Sequence, residues 1–452
     1  MPQMHGRVAS RLRDLSPPPA ALASGVAVLV LLILVAAAVG GALPAFLVIG
    51  AAAGLLLLSL LGSYRTAILV LMLAFGTAPM YKGLAASVGS VVTPTDLLMV
   101  LGLVLLVPTL IVVRLHIPIA YSVGIVLLFV MAFTASAAAS DPLRSFMDLV
   151  QLLAVAVIFP LALTAVGGSR TSILLLAGSY VFGQLLSLAF AFIRGPVTGN
   201  RYQGLSHHPN AFSEAGLMAV ALLLYLFYRY RSWWWRGAVL GAIALCGLSV
   251  IMSGSRAATV VCAVLIVMVP FVERSTASVV AFMALLAGIF VSLPLILHFG
   301  GEGSAIHRLT GAADALVADS ARDEMLTIGW HRFLGHPLAG TGFQDVELMH
   351  NVFLETLVAV GVVGTIGFVM MMITLALPLF GGGIDRRLAY TAWAYIGLGP
   401  TVPGLEDRTL WVPLALAMLA AVRPVRHPED ESSTAEGGAR HGDRPELAEP
   451  VA

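Results

Sequence analysis

The stretch "NVFLETLVAVGVVGTIGFVMMMITLALPLF", residues 351–380, decides the class of this fold. Glu355 is its only charged residue, and most other positions are Val, Leu, Ile, Met, Phe or Gly. A helix that crosses the hydrocarbon core of a bilayer needs about 20 mostly apolar residues, so this stretch predicts a transmembrane helix. A helix is expected because lipid offers no hydrogen-bond partner to a bare backbone.

The rest of the chain has the same character. Its 452 residues are 59% hydrophobic and 11% charged, whereas an ordinary soluble domain is about 25% charged. The composition predicts an all-α, polytopic integral membrane helix bundle of about 12–14 transmembrane helices with one large outer loop. The apolar runs predict fourteen spans, at 22–40, 43–62, 66–80, 96–113, 117–139, 146–166, 171–193, 211–228, 237–253, 257–272, 277–298, 351–380, 388–403 and 409–422. The spans 388–403 and 409–422 are short enough to be re-entrant.

The arginines of the short loops predict the orientation, because cytoplasmic loops carry an excess of basic residues. One set of loops holds Arg65, Arg114, Arg170, Arg229, Arg231, Arg236, Arg274, Arg386 and Arg387. With that set inside, both termini are cytoplasmic. The resulting organisation is a cytoplasmic tail (1–21), a transmembrane bundle (22–298), a large extracytoplasmic loop with an amphipathic helix (299–350), C-terminal transmembrane helices (351–422) and a disordered cytoplasmic tail (423–452).

The opposite loops should be poor in arginine, yet they hold Lys82, Arg144, Arg194, Arg201, Arg256, Arg308, Arg322, Arg332 and Arg408. Loop solubility is enough to explain Arg308 or Arg144. It explains less well Arg201, in "GNRYQGLSHHPN" (199–210), and Arg256, because both lie beside the ends of spans. A guanidinium there either snorkels to the interface or binds an anion, and its planar fork suits phosphate.

His350 immediately precedes the predicted span 351–380, at its outer end. It is either an interfacial or capping histidine or a general base, since histidine titrates nearest neutral pH. Asn351 is expected to cap the helix, and Glu355 either orients His350 or faces a polar cavity. Asn210 is expected to cap its helix or, as the second interpretation, to contact a ligand.

No metal site or cofactor is predicted. The outer loops carry several histidines, among them His207, His208, His331 and His336. No HExxH pattern, paired aspartates or cysteine ligands accompany them. The segment "GTGF" (340–343) is too short for a nucleotide-binding loop. The net charge of +1 gives no sign of nucleic acid as a partner.

Four pieces of the sequence, taken in order, resemble the bacterial O-antigen ligase and O-antigen polymerase family. They are "NRYQGLSHHPN" (200–210), "SGSRAAT" (253–259), "SARDEMLTIGWHRFLGHPLAGTGF" (320–343) and "HNVFLETLVAVGVVG" (350–364). The resemblance covers roughly residues 195 to 375. The N-terminal half is similar only as a hydrophobic bundle, and the predicted fourteen spans exceed the dozen or so usual in the family.

The resemblance implies a multi-pass glycosyltransferase in the cytoplasmic membrane of a bacterium. Such enzymes move a glycan from a polyprenyl pyrophosphate donor to a glycan, lipid or protein acceptor at the outer face, without a metal or nucleotide sugar. It implies that Arg201, Arg256 and Arg322 bind the pyrophosphate and that His350 activates the acceptor hydroxyl. His208, Asn210, Asn351 and Glu355 are possible supporting residues.

Two other functions remain open. A polymerase of the same family would share the donor chemistry, so the sequence does not separate it from a ligase. A transporter or flippase of an anionic solute or lipid would also fit many helices with outer arginines. Against a transporter, the sequence shows no internal repeat and no obvious mid-membrane pair of helix breaks.

Overall fold

A computed structural model of the chain describes residues 42–88, 93–113, 117–166, 169–300, 303–309, 313–344 and 346–422. Within these residues the protein is an all-α bundle, and nine helices are long and apolar enough to cross a membrane. The predicted fold class is therefore confirmed, and the chain is a multi-pass membrane protein. The predicted span 22–40, both terminal tails and Arg114 lie outside the described residues.

The helices are numbered in chain order. They are α1 (Ala42–Thr77), α2 (Tyr81–Val88), α3 (Pro94–Val112), α4 (Ile119–Ala137), α5 (Pro142–Val166, in several helical turns), α6 (Arg170–Arg194), α7 (Pro209–Arg229), α8 (Trp233–Met252), α9 (Arg256–Glu273), α10 (Thr276–Gly300), α11 (Ala305–Leu309), α12 (Ala313–Gly335), α13 (Val352–Ala376), α14 (Tyr390–Leu398), α15 (Arg408–Leu414) and α16 (Ala417–Ala421).

The predicted spans 43–62 and 66–80 fall mostly on one helical element. Helix α1 runs through both regions and is broken at Gly62, which has φ 78° and ψ 166°. Glycine adopts positive φ without steric cost, so the chain changes direction there without a loop. Gly62, the predicted end of the span 43–62, is therefore a kink inside α1.

Helix α5 contains a local defect with a clear cause. Pro160 has no N–H to donate to the carbonyl of Ala156, four residues earlier. The helix widens into a π turn over Ala154–Ile158, just before this proline. The freed carbonyl of Ala156 instead accepts a 2.5 Å hydrogen bond from the hydroxyl of Tyr121 on α4. The defect therefore also ties α5 to its neighbour.

The C-terminal crossings are made of broken helices. Helix α14 has nine residues, about 13.5 Å at 1.5 Å per residue, well short of the roughly 30 Å hydrocarbon core. Carbonyls freed by the breaks accept hydrogen bonds from buried side chains: Tyr395 bonds Gly404, Trp411 bonds Leu405, and Tyr180 bonds Thr409. Irregular backbone at this depth is stable because protein, not lipid, surrounds it.

These broken helices still pass from one end of the bundle to the other. Asp385, just before α14, accepts from Tyr225 near the end of α7, whereas Asp407, just before α15, pairs with Lys82 at the opposite end. Helix α16 returns to pack against the segment Asp385–Ala389. The re-entrant interpretation of 388–403 and 409–422 is therefore wrong, because the chain crosses the bundle in both directions.

Helix α7 is the centre of the bundle. In its membrane-spanning window 94% of the residues are buried, the highest share of the nine candidate spans in the described part of the chain. Its first turn follows directly on "GNRYQGLSHHPN". The fold thus places the polar segment 199–208 over the middle of one end of the bundle.

The two ends of the bundle carry separate sets of polar contacts. At one end, Arg386 and Arg387 pair with Glu273, and Arg170 donates to the carbonyl of Arg229. The other end holds the ion pairs Lys82–Asp407 and Arg408–Asp96. This division agrees with the two sets of loops expected from the arginine pattern. The assignment of the Glu273 end to the cytoplasm stays a prediction.

Candidate functional site

Arg201 is fixed by contacts to two other segments. Its Nε donates to the carbonyl oxygen of Ser253 at 2.6 Å, and its Nη2 donates to Oδ1 of Asn210 at 2.5 Å. The backbone N–H of Tyr202 also donates to the carbonyl of Met252, at the end of α8. These bonds bring the segments 199–210 and 253–259, far apart in sequence, into direct contact.

His208, and not Asn210, caps helix α7. The helix begins at Pro209, and Nδ1 of His208 accepts a 3.1 Å hydrogen bond from the backbone N–H of Asn210. The expectation that Asn210 is the N-cap is wrong, because it lies inside the first turn. Its side chain is turned to Arg201, which suits the second interpretation of Asn210 as part of a site.

Three arginines from different elements line one cleft, which we call the arginine pocket. Its described lining is Asn210, Ser255, Arg256, Ala257, Arg308, Arg322, Thr401 and Val402. Arg256 opens α9, directly after its cap Ser255, and Arg322 lies on α12. Arg308 donates from Nη1 to the carbonyl of Gly254 at 2.8 Å. Loop solubility is therefore not the whole explanation for Arg308, because this arginine lines the pocket.

Three guanidinium groups line the arginine pocket, and two of them act on Arg201. Burial, and then the positive charges of Arg308 and Arg322, lower the pKa of Arg201 to about 10. Among the described residues that line the pocket, none is a carboxylate. Guanidinium groups held together in this way repel one another, and a bound anion would relieve that repulsion.

Gly254 allows the close approach on which this arrangement depends. It has φ 72°, and a Cβ placed there would lie 2.3 Å from the carbonyl oxygen of Gly303 and 2.9 Å from Nε of Arg201. A side chain at this position would push away both the 303–309 segment and Arg201. The glycine of "SGSR" is thus needed for the fit.

His350 lines a second cavity, of about 370 Å³, which we call the carboxylate cavity. The cavity is lined by Lys82, Asp148, Leu152, Phe343, Val346, His350, Glu355, Pro403, Leu405, Glu406 and Asp407. His350 is half-buried and has a left-handed backbone, with φ 51°. Burial, and then the charge of Arg322, lower the pKa of His350 below its ordinary value. Its imidazole is therefore neutral at neutral pH and able to accept a proton.

The residues that follow His350 have the expected roles in α13. Oδ1 of Asn351 accepts from the backbone N–H groups of Phe353 and Leu354, both at 3.1 Å, so the prediction of a helix cap is confirmed. Glu355 is 1% exposed and lines the carboxylate cavity. Of its two predicted roles, the structure supports the one in which Glu355 faces a polar cavity.

Four charged residues of the carboxylate cavity were missed from the sequence: Lys82, Asp148, Glu406 and Asp407. Lys82 pairs with Asp407 at 3.1 Å, and Asp407 also caps α15 by accepting from Thr409 N at 2.8 Å. Burial opposes the charge of Asp407, but Lys82 and the hydrogen bonds hold its pKa below the usual range. A signal existed, because Lys82 is the only lysine and "LEDR" (405–408) interrupts two apolar runs.

The two cavities share a wall. Thr401 and Val402 line the arginine pocket, and the residues that line the carboxylate cavity follow directly in the chain: Pro403, Leu405, Glu406 and Asp407. Arg322 acts electrostatically on both Arg201 and His350. A cationic cleft and a histidine-lined cavity thus lie side by side at one end of the bundle.

His208 lies between these groups. Burial, and then the charges of Arg201, His207, Arg322 and His350, lower its pKa to about 4. It is therefore neutral at neutral pH, and its Nδ1 is already used as an acceptor in the helix cap. Its geometry makes it a positioning residue for the start of α7.

The other outer histidines are scattered. His331 and His336 lie exposed near the end of α12 and line neither cavity. His207 is influenced by Lys82 and Asp407, on the side of the carboxylate cavity. Over the part of the chain that the structure describes, no group of three or more His, Cys, Asp or Glu residues is arranged to hold a metal ion.

Comparison with known proteins adds no family to this geometry. No family model, curated protein or solved structure matches the chain. Three of the four short pieces noted in the sequence line the arginine pocket, through Asn210, Arg256 and Arg322. The fourth contributes His350 to the carboxylate cavity, within the electrostatic influence of Arg322.

Proposed function

We propose that this protein is a membrane glycosyltransferase of the O-antigen ligase type. It transfers a glycan from polyprenyl pyrophosphate to an acceptor hydroxyl on the outer side of a bacterial cytoplasmic membrane. The observation that carries the proposal is the shared wall between the arginine pocket and the carboxylate cavity. Glycan transfer of this kind needs a cationic site for the diphosphate of the donor. It also needs a neighbouring site in which a base activates the acceptor hydroxyl.

The arginine pocket is the proposed site of the donor diphosphate. Arg256, Arg308 and Arg322 line it. Arg201 is not one of the lining residues, but it donates a hydrogen bond to Asn210, which is. Guanidinium forks bind phosphate oxygens bidentately. As the sugar–phosphate bond breaks, negative charge grows on the leaving diphosphate, and positive groups already in place stabilise that charge without reorganising. The lipid tail of the donor would lie in a groove between the apolar helices.

The carboxylate cavity is the proposed site of the acceptor. Carboxylate oxygens only accept hydrogen bonds, so Asp148, Glu355 and Glu406 suit a ligand rich in hydroxyl donors. The neutral imidazole of His350 takes the acceptor proton while the hydroxyl oxygen bonds to the anomeric carbon. The bond between the anomeric carbon and the diphosphate oxygen breaks, and its electron pair stays on the leaving diphosphate. Attack from the side opposite the leaving group inverts the anomeric configuration.

Ligase and polymerase differ only in the acceptor, and the donor site described above serves both. The polymerase therefore remains the alternative within the same proposal. Identification of the lipid-linked intermediate that accumulates in a deletion strain would separate the two, because it shows which glycan has no acceptor.

A transporter of an anionic solute or lipid is the second candidate, and one observation favours it. The break between α14 and α15 adjoins both cavities, and discontinuous helices beside a binding site are a feature of transporters. The neutral, half-buried His350 on the wall of the carboxylate cavity favours the transferase, since it can accept the proton of an acceptor hydroxyl.

Incubation of the purified protein with a lipid-linked glycan and an acceptor tests the proposal. A transferase forms the glycosylated acceptor and releases polyprenyl pyrophosphate in equal amounts, and His350→Ala blocks both. A flippase moves the lipid-linked glycan across the bilayer of a vesicle without releasing polyprenyl pyrophosphate. That second result would reject the transferase.

A further inference from the structure

A groove of about 660 Å³ lies at the opposite end of the bundle from both cavities. It is lined by Val267, Met268, Phe271, Val272, Glu273, Arg274, Phe380, Gly381 and Arg386. It separates the end of α9 from the segment after α13. The proposed glycosyl transfer uses none of these residues, so the groove can be considered independently of that proposal.

The walls of the groove are apolar and open to the surroundings of the bundle. Val267 is 47% exposed, Phe271 72% and Phe380 58%. The three side chains belong to helical segments of a chain that spans the membrane. Side chains so exposed on such a helix face acyl chains, and they form a slot in which one chain can lie.

The end of the groove is cationic. Glu273, whose side chain is 1% exposed, pairs with Arg386 at 2.6 Å and with Arg387 at 2.5 Å. Arg274 is exposed, lines the groove and caps α9 with φ 46°. Among the described residues that line the groove, Arg274 and Arg386 are cationic and Glu273 is anionic, which leaves a formal charge of 2 − 1 = +1. Asp385 points elsewhere, to the hydroxyl of Tyr225.

We infer that this groove binds an anionic phospholipid, with the headgroup phosphate on Arg274 and Arg386 and one acyl chain between Phe271 and Phe380. Charge complementarity selects the headgroup, because a zwitterionic lipid adds a cation of its own to a rim that is already positive. The apolar slot selects a lipid over a free phosphate ion. Basic pockets between transmembrane helices at the membrane surface commonly bind such headgroups.

The bound lipid would have a structural consequence. Arg386 and Arg387 join α9 to the segment that leads into α14, through the single carboxylate of Glu273. A phosphate on Arg274 and Arg386 would add a second link across the same gap. Anionic lipid should therefore raise the thermal stability of the bundle.

The test uses the full-length protein in nanodiscs of phosphatidylcholine, with or without added phosphatidylglycerol. Lipid retention is followed by native mass spectrometry and stability by thermal unfolding. We expect the wild type to retain phosphatidylglycerol in preference to phosphatidylcholine and to unfold at a higher temperature with it. Arg274→Glu should lose at least about fivefold of that preference, since one basic residue near the surface contributes about 1 kcal/mol. Arg274→Lys should keep most of it.

Arg231→Ala is the matched control, because Arg231 is an exposed arginine predicted on the same membrane face and does not line the groove. It should retain the full preference. An unchanged preference in Arg274→Glu would overturn the inference. So would an equal stabilisation of the wild type by inorganic phosphate, which would mean a site for the free ion. Neither outcome depends on glycosyl transfer.

Discussion

Nη2 of Arg201 donates a hydrogen bond to Oδ1 of Asn210 at 2.5 Å, across the turn that leads into the most buried helix of the bundle. The same guanidinium also bonds the carbonyl of Ser253 through Nε. Two directions of one planar fork are therefore used to join two loops, and the positive charge is held at a fixed place.

The first prediction concerns this fork. Arg201→Lys keeps a positive charge but cannot reach both Ser253 and Asn210 with the same geometry. We expect donor-dependent kcat/KM to fall roughly a hundredfold, which is the cost of misplacing catalytic groups by about 1 Å, because the two loops that carry Asn210 and Arg256 lose their link. Asn210→Ala keeps the guanidinium and should lose much less. Near-normal transfer by Arg201→Lys, at normal membrane abundance, would contradict the role of the fork.

The second prediction concerns Arg308, which the sequence did not single out. Because Arg308 lines the arginine pocket beside Arg256, Arg308→Ala should lower transfer about as much as Arg256→Ala does. Arg144→Ala is the control, since Arg144 is exposed and outside the pocket. Transfer assays with purified variants measure this. If transfer by Arg308→Ala is as close to wild type as transfer by Arg144→Ala, Arg308 has no role in binding the donor.

The third prediction concerns the base. His350→Ala should lower turnover by about 10²–10⁴-fold, the usual loss of a general base, with donor binding nearly unchanged. His336→Ala, in an exposed histidine that lines neither cavity, should stay near wild type. Single-turnover transfer and donor binding are measured separately. A His350→Ala enzyme with normal turnover would leave the reaction without a base.

The fourth prediction concerns pH. A base must be neutral, so the rate falls as the pH drops through the pKa of His350. Burial and Arg322 hold that pKa below the ordinary 6.5, and the acid limb of kcat/KM should therefore lie below pH 6.5. Arg322→Gln removes the positive charge that lowers the pKa of His350 but leaves the burial unchanged. The acid limb should therefore move to higher pH, whatever the loss of rate. A limb that stays in place would show that Arg322 does not act on His350.

The fifth prediction concerns the acceptor. Glu406→Gln keeps the size of the side chain but exchanges an acceptor oxygen for a donor in the carboxylate cavity. We expect the KM for the acceptor to rise several-fold and the KM for the donor to stay constant. Glu324→Gln, an exposed carboxylate on α12 outside both cavities, is the control. A rise in donor KM instead would place the donor in this cavity.

The membrane class of the fold could be predicted from the sequence because it depends on composition alone. A stretch such as 351–380 has one charge and no polar face, and only a helix shields its backbone in lipid. The long loop helix was also visible, because a helix was predicted within the loop 299–350 and one lies over Ala313–Gly335. The grouping of the arginines into two sets followed from chain order, since each crossing changes the side.

The positions at which helices break could not be predicted from the sequence. Gly62, Pro160 and the segment between α14 and α15 interrupt helices whose composition suggests plain spans. Whether a break is tolerated depends on a partner elsewhere, such as Tyr121 for the carbonyl of Ala156 or Tyr180 for that of Thr409. Such partners are set by packing, which the local pattern does not contain.

The candidate site likewise contains residues that the sequence could predict and residues whose role depends on packing. Arg201, Arg256, Arg322 and His350 were identifiable from sequence because charged groups beside apolar spans are costly and therefore few. The roles of Arg308, Lys82, Glu406 and Asp407 could not be predicted, because they depend on which loops meet: Arg308 contacts Gly254, and Asp407 pairs with Lys82 from more than 300 positions earlier. The sequence by itself determined a membrane bundle with cations also in the loops that are expected to be poor in them. Only the tertiary structure decided that those cations form a pocket and that a carboxylate-lined cavity with His350 lies behind its wall, because the close approach of distant loops is a property of helix packing.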